Sequence, residues 1–450
     1  MSRINPDIFI IMMALLPTRD LLSVQLVNST FYWEAANLLA ARADFTHKPL
    51  TARTVPSYAQ FISRDMVRGN YLKHFNVQFW EDVPPELASQ VAYILSWCFQ
   101  IVSLRLTQCE SLVTSQNTFI VGPVLAIRGL TEVCFEDVGP RWISSVCDSL
   151  QTPLLRATVM FVDYVDSVVT VPDATGLLPN CALTIQHMTT NGKFNGLRFI
   201  YPSAMSLRLM HDDMRDVGVL IDAFPTVERL CIKDQEGDYL MGISREACRE
   251  VRARNVVQIA ARVPEDGSWP VGDNARFVGR ARTLYLLGLT NIPYIELDAK
   301  DDDFEDIQVA LQDAAPMDLD LRLSSLRTPW DSLAQLSCGG NLNVLELCII
   351  LDSPPIDVDR VVPSIIAMCQ REPVANLHLA FEEVENSIWW MWLTQIDMHH
   401  LARVLANEIA GLAQVHITAG RHRNGEWQVV QIPGGFDVEE LPVGHRDRWL

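Results

Sequence analysis

One spacing recurs along the chain and constrains its fold more than any other feature. An apolar residue is followed, three positions on, by an alternating apolar-x-apolar pair. Leu72-x-x-Phe75-x-Val77 gives way to Ile101-x-x-Leu104-x-Leu106, Leu130-x-x-Val133-x-Phe135, Ala204-x-x-Leu207-x-Leu209 and Val227-x-x-Leu230-x-Ile232. Later copies are Ala281-x-x-Leu284-x-Leu286, Leu342-x-x-Leu345-x-Leu347, Val374-x-x-Leu377-x-Leu379 and Leu412-x-x-Val415-x-Ile417, and weaker ones centre on Ala157, Leu183, Val257 and Leu321. The alternation predicts a strand with one buried face.

Nine of the twelve intervals between successive centres lie within roughly 20–29 residues, the range in which a strand and its return segment form one stacking unit of a leucine-rich repeat. Pro153, Pro179, Pro225, Pro316 and Pro373 each stand four or five residues before a centre, where proline ends a helix and starts an extended segment. The stretches 86–98, 142–150, 214–224, 244–255, 304–314, 358–370 and 399–412 read as helices between the strands. The expected fold class is α/β: an irregular leucine-rich-repeat solenoid over residues 71–450, with parallel strands and outer helices. A doubly wound sheet is the rival. It calls for a glycine-rich phosphate turn after a strand, and neither G-x-G-x-x-G nor G-x-x-x-x-G-K-[ST] occurs. Residues 415–417 and 427–432 read as a capping hairpin turning near Asn424-Gly425.

The charge is uneven. The whole chain carries −19, yet residues 1–48 hold four Lys/Arg against four Asp/Glu. That asymmetry predicts a boundary near residue 48, then a connector over 49–70 broken by Pro49, Pro56 and Gly69. An acidic surface argues against nucleic acid and anionic membrane as partners. The apolar run 8–16 is too short to span a bilayer and lacks a signal-peptide cleavage site. No C-x-x-C pair occurs among the ten cysteines, which predicts buried free thiols in a reducing, cytoplasmic or nuclear compartment.

Residues 6–16 read as a first helix opened by Pro6 and ended by Pro17. Asp20 is placed to cap a second over 21–27, and Ser29 or Thr30 a third. The first helix is apolar nearly all round, so something must cover it. The segments I-N-P-D-I at 4–8, L-P-T-R-D-L-L at 16–22 and L-V-N-S-T-F at 26–31 resemble the F-box motif of fungal-type proteins. The resemblance covers about a tenth of the chain. It implies a three-helix F-box docked on a Skp-type adaptor and, through it, on the cullin of an SCF-type ubiquitin ligase. On that resemblance the adaptor-binding residues are Ile4, Pro6, Ile8, Leu16, Pro17, Leu21, Leu22, Leu26, Val27 and Phe31. A binding module working outside a ligase, and an enzyme on an α/β fold, stay as alternatives.

Chemistry-bearing motifs are sparse. Asp301-Asp302-Asp303 lacks the glycine and glutamate of a calcium loop, and His399-His400 lacks the zincin spacing. No cofactor or metal is implied, and an enzyme is not expected. The polar positions beside the strand leucines would line the concave face of a solenoid, the usual binding surface. Arg105, Arg208, Arg229, Lys233, Arg322, Glu346 and His378 are therefore the candidates for holding a target protein, alongside Glu132, Glu136 and Tyr285. Long intervals mark insertions at 234–280, with a basic helix face at Arg245, Arg249 and Arg252, and at 383–398, with Trp389, Trp390 and Trp392.

Overall fold

The computed structural model describes residues 11–45, 51–80, 82–113, 118–162, 173–194, 196–210, 216–233, 244–264, 267–299, 303–352, 358–383, 393–394, 396–420, 423–433 and 435–441. Ile4, Pro6, Ile8, Asp301, Asp302 and the three tryptophans of the 383–398 insertion lie outside them. The chain forms two compact units, Met1–Ala204 and Met205–Leu450. Each is α/β with an open, mostly parallel sheet whose strands follow chain order.

In the first unit the strands are β1 (Arg42–Phe45), β2 (His74–Val77), β3 (Ser103–Leu106), β4 (Glu132–Val138), β5 (Arg156–Phe161) and β6 (His187–Thr190). Their register places Phe75, Leu104, Val133, Ala157 and Met188 in one row, and Phe45 of β1 in the next, beside Val77. All five are buried, as are Phe45 and Val77, so the repeat is one strand deep and its central apolar residues stack into a continuous core. Two expectations are corrected. Leu183 is exposed in a turn. The 3-10 turn Pro179–Cys181 delays the strand until the Gln186 and His187 amides donate to the Leu155 carbonyl, at 2.9 and 3.0 Å. The first strand, Arg42–Phe45, comes before any copy of the repeat and before residue 48.

Residues 51–70 are not a broken connector. Helix Thr51–Ser63 runs through Pro56, because burying Val55, Ala59 and Ile62 on one face outweighs the single lost backbone hydrogen bond. Its Tyr58 hydroxyl donates to the Ala40 carbonyl at 2.6 Å, and the Tyr58 ring meets Phe45 edge-on. Buried Arg68 donates to the Phe61 carbonyl and the Tyr32 hydroxyl and stacks on the Phe61 ring. At the N-terminus, residues 11–14 are helical and helices Thr18–Val24 and Ser29–Ala41 follow. The caps differ from expectation. Asp20 lies inside the first turn of its helix, and Asn28, not Ser29 or Thr30, accepts from the Phe31 amide at 2.9 Å.

In the second unit β7 (Ser206–Leu209), β8 (Arg229–Ile232), β9 (Arg276–Arg280), β10 (Tyr294–Asp298), β11 (Asp318–Ser324), β12 (Val344–Leu351), β13 (Asn376–Glu383) and β14 (Gln414–Ala419) are parallel. The core row is Leu207, Leu230, Phe277, Ile295, Leu319, Leu345, Leu377 and Val415. Three centres move. Val257 lies in helix Arg245–Ala260 and Leu284 in helix Ala281–Leu287. The eleventh strand aligns through Leu319 instead of Leu321. The helix around Leu284 is buried on nearly every side, so its short apolar run carries no period to separate it from a strand. Gly288, at φ 66°, ends it as a left-handed cap.

Two of the three arginines on the basic face of Arg245–Ala260 make internal contacts, while Arg249 is exposed. Arg245 pairs with Glu305, and Arg252 with Asp313 and the Tyr285 carbonyl. At the C-terminus β15 (Arg423–Ile432) and β16 (Gly435–Glu440) run antiparallel. Asn424 and Gly425 sit within β15 opposite Thr418 and Ile417, not at the turn. Glycine is needed at 425 because a Cβ there would enter the Trp427 ring. All ten cysteines are free, eight of them buried, and burial pushes the Cys98 and Cys369 thiols up to about 12. Among the described residues no helix is long and apolar enough to cross a membrane.

Candidate functional site

Strand alternation buries one face of each sheet and leaves the other half-exposed. In the second unit the residue between the two core positions of each strand points to that open face. Register sets Glu296, Asp320, Glu346, His378 and His416 side by side on β10 to β14, with Glu426 of β15 next. His378 Nδ1 lies 2.7 Å from Glu346 Oε1, and its Nε2 lies 3.2 Å from the Thr418 hydroxyl. A neutral ring satisfies both contacts by donating from Nδ1 and accepting at Nε2. The His378 and His416 rings stack with centroids 4.2 Å apart. Arg276 Nη2 donates to Glu296 at 2.8 Å, and Arg322 Nη2 to Glu382 at 3.1 Å.

The carboxylates of this row respond in opposite directions. Burial, reinforced by Glu346 and Glu296, pushes Asp320 up to about 6. The hydrogen bond from His378 holds Glu346 below the usual carboxylate range. Among the described residues no group of three or more His, Cys, Asp and Glu is placed to hold a metal ion.

Of the residues expected to hold a target, the structure gathers Arg322, Glu346 and His378 on β11 to β13. Arg208 and Arg229 stand exposed on β7 and β8, with Lys233 exposed just beyond β8. Arg105 belongs to the first unit, where it donates to Glu136 at 2.7 Å. Tyr285 is withdrawn, since it is buried in a helix beneath the Arg252 guanidinium. Arg276, Glu296, Asp320 and His416 were missed. Each lies beside or between the core residues of a strand. Reading β11 from Leu321 hides Asp320, and taking Leu284 as a strand centre hides Arg276 and Glu296, whereas His416 stands in plain view between Val415 and Ile417.

The second surface is at the N-terminus. Leu21 is fully buried with Met13 and Ala35, and Leu16, Val24, Leu38 and Leu39 pack on them. Leu26 is 88% exposed, Leu15 81%, Ile11 64%, Val27 63%, Leu22 53% and Met12 52%. The expected docking residues thus divide. Leu21 is core, Leu16 and Phe31 are half-buried, and Pro17, Leu22, Leu26 and Val27 face solvent. Compared with known proteins, the chain matches no family model and no curated sequence.

Proposed function

We propose that this chain is the substrate-recognition subunit of an SCF-type cullin–RING ubiquitin ligase. Its N-terminal helices act as an F-box that docks on a Skp-type adaptor, and the strand-per-repeat units form a leucine-rich-repeat solenoid that holds a target protein. The observation that carries the reading is the density of exposed large apolar side chains between residues 11 and 27. Exposed apolar clusters of this kind mark interaction surfaces, and these lie within the motif that resembles an F-box. One strand per repeat, a stacked apolar row and helical returns support the leucine-rich-repeat part. Ubiquitin transfer belongs to other subunits. This chain contributes proximity, by raising the effective concentration of a target lysine near the charged conjugating enzyme. The cytoplasm or nucleus is where it would work.

The test separates interface from core. Leu26→Asp with Val27→Asp is expected to abolish co-purification of adaptor and cullin while the circular dichroism spectrum is unchanged, because both side chains already face water. Undiminished adaptor recovery would sink the proposal. Leu21→Ala instead acts through folding, with a loss of about 2–5 kcal/mol as for other buried leucines.

A further inference from the structure

The open face of the second unit has a polarity that its net charge conceals. Residues 1–204 hold 14 Lys/Arg against 16 Asp/Glu, whereas residues 205–450 hold 22 against 39. The acidity of the chain therefore belongs to the second unit, and by itself it points to a uniformly basic partner. The face is sorted differently. β7 to β9 present Arg208, Arg229, Arg276 and Arg280, with Ser206, Cys231 and Val278 at the other outward positions. No acid stands among them, and Lys233 follows β8 directly. β10 to β12 present Glu296, Asp298, Asp318, Asp320 and Glu346, with Arg322 as their cation. The halves meet at the Arg276–Glu296 ion pair, 2.8 Å long.

Within each half, like charges are neighbours. Arg229 is the register partner of Arg276, and Asp320 lies between Glu296 and Glu346. Directly opposed like charges destabilise a sheet. Arg208, Arg229 and Lys233 form no ion pair among the described residues. Both unfavourable arrangements are relieved at once by a partner carrying the opposite signs in the same order. A uniformly basic partner would meet the arginines of β7 to β9 and lose there what it gains over β10 to β12.

We infer that this face docks one protein segment of reversed polarity, with carboxylate side chains over β7 to β9 and Lys/Arg over β10 to β12, running across the strands. The inference deepens the proposed target-binding role and rests on it. Strands repeat every ~4.8 Å, so the centres of the two halves, β8 and β11, are about 14 Å apart. About four residues of extended chain, or between two and three helical turns, bridge that distance.

The test uses the full chain and labelled synthetic peptides, followed by fluorescence anisotropy at low salt. One peptide has a glutamate block and an arginine block separated by about 14 Å. Its controls are a peptide of the same composition with charges interleaved, an all-arginine peptide and an all-glutamate peptide. The block peptide is expected to bind about tenfold tighter than any control. Arg208→Glu with Arg229→Glu is expected to weaken it about tenfold while strengthening the all-arginine peptide; both residues are exposed, so the fold should tolerate the change. Equal affinity for block and interleaved peptides, or tightest binding of the all-arginine peptide, overturns the inference. Adaptor binding is measured on the same preparations. If adaptor binds and the peptides do not rank as expected, the polarity inference fails alone; if the unaltered chain does not bind adaptor, the receptor proposal fails.

Discussion

Asp320 and Glu346 occupy adjacent places in one row and titrate in opposite senses. Asp320 holds its proton more tightly in the folded chain, up to about 6, than an unfolded aspartate does at about 3.9. Between those values the folded state binds more protons, so this group's contribution to stability falls as pH rises through the window. Glu346 runs the other way. Its stabilising pair with His378 is present above the ordinary glutamate value and is lost as pH falls through its depressed one. Asp320→Asn is therefore expected to be more stable than the unaltered chain at about pH 7 and to lose that advantage near pH 4, as read by urea unfolding. An advantage independent of pH would contradict the assignment. This row was legible in outline, because the residue between two core leucines must face away from them. The sequence alone does not separate Arg322 from Asp320, because Leu319 and Leu321 are equally good centres and only pairing with Leu345 decides between them.

At the level of elements, long apolar periods mark their helices in the sequence, and short apolar segments carry two meanings. Helices Pro85–Trp97 and Phe304–Ala314 lie where they were expected. Ala281–Leu287 was read as a strand because a buried helix of seven residues and a buried strand look alike. The cap of helix Ser29–Ala41 was ambiguous for another reason. Asn28, Ser29 and Thr30 are all good capping residues in succession, and the geometry selects Asn28. Asn28→Ala is expected to cost about 1 kcal/mol in the opening of that helix, seen as faster amide exchange across its first turn. Ser29→Ala and Thr30→Ala should change it little. Equal effects from all three would show that the Asn28 contact is not the cap.

For the molecule as a whole, the sequence carried the one-strand-per-repeat plan, since Phe75, Leu104, Val133 and Ala157, and again Leu345, Leu377 and Val415, stack in the order and register their spacing implies. It did not carry the division into units at Ala204 and Met205, because the copy Ala204-x-x-Leu207-x-Leu209 runs across that point. Nor did it reveal that the second unit sorts its charge by strand, which appears only once outward residues are separated from buried ones. The central claim is that the N-terminal helices present an adaptor-docking surface while their own small core stays closed. Amide hydrogen exchange of the full chain, with and without purified Skp-type adaptor, tests it most directly. The account expects new protection over residues 18–27, next to the exposed Leu22, Leu26 and Val27, and unchanged exchange on β7 to β14. No protection at 18–27 with saturating adaptor, or protection confined to the charged face of the second unit, would contradict it.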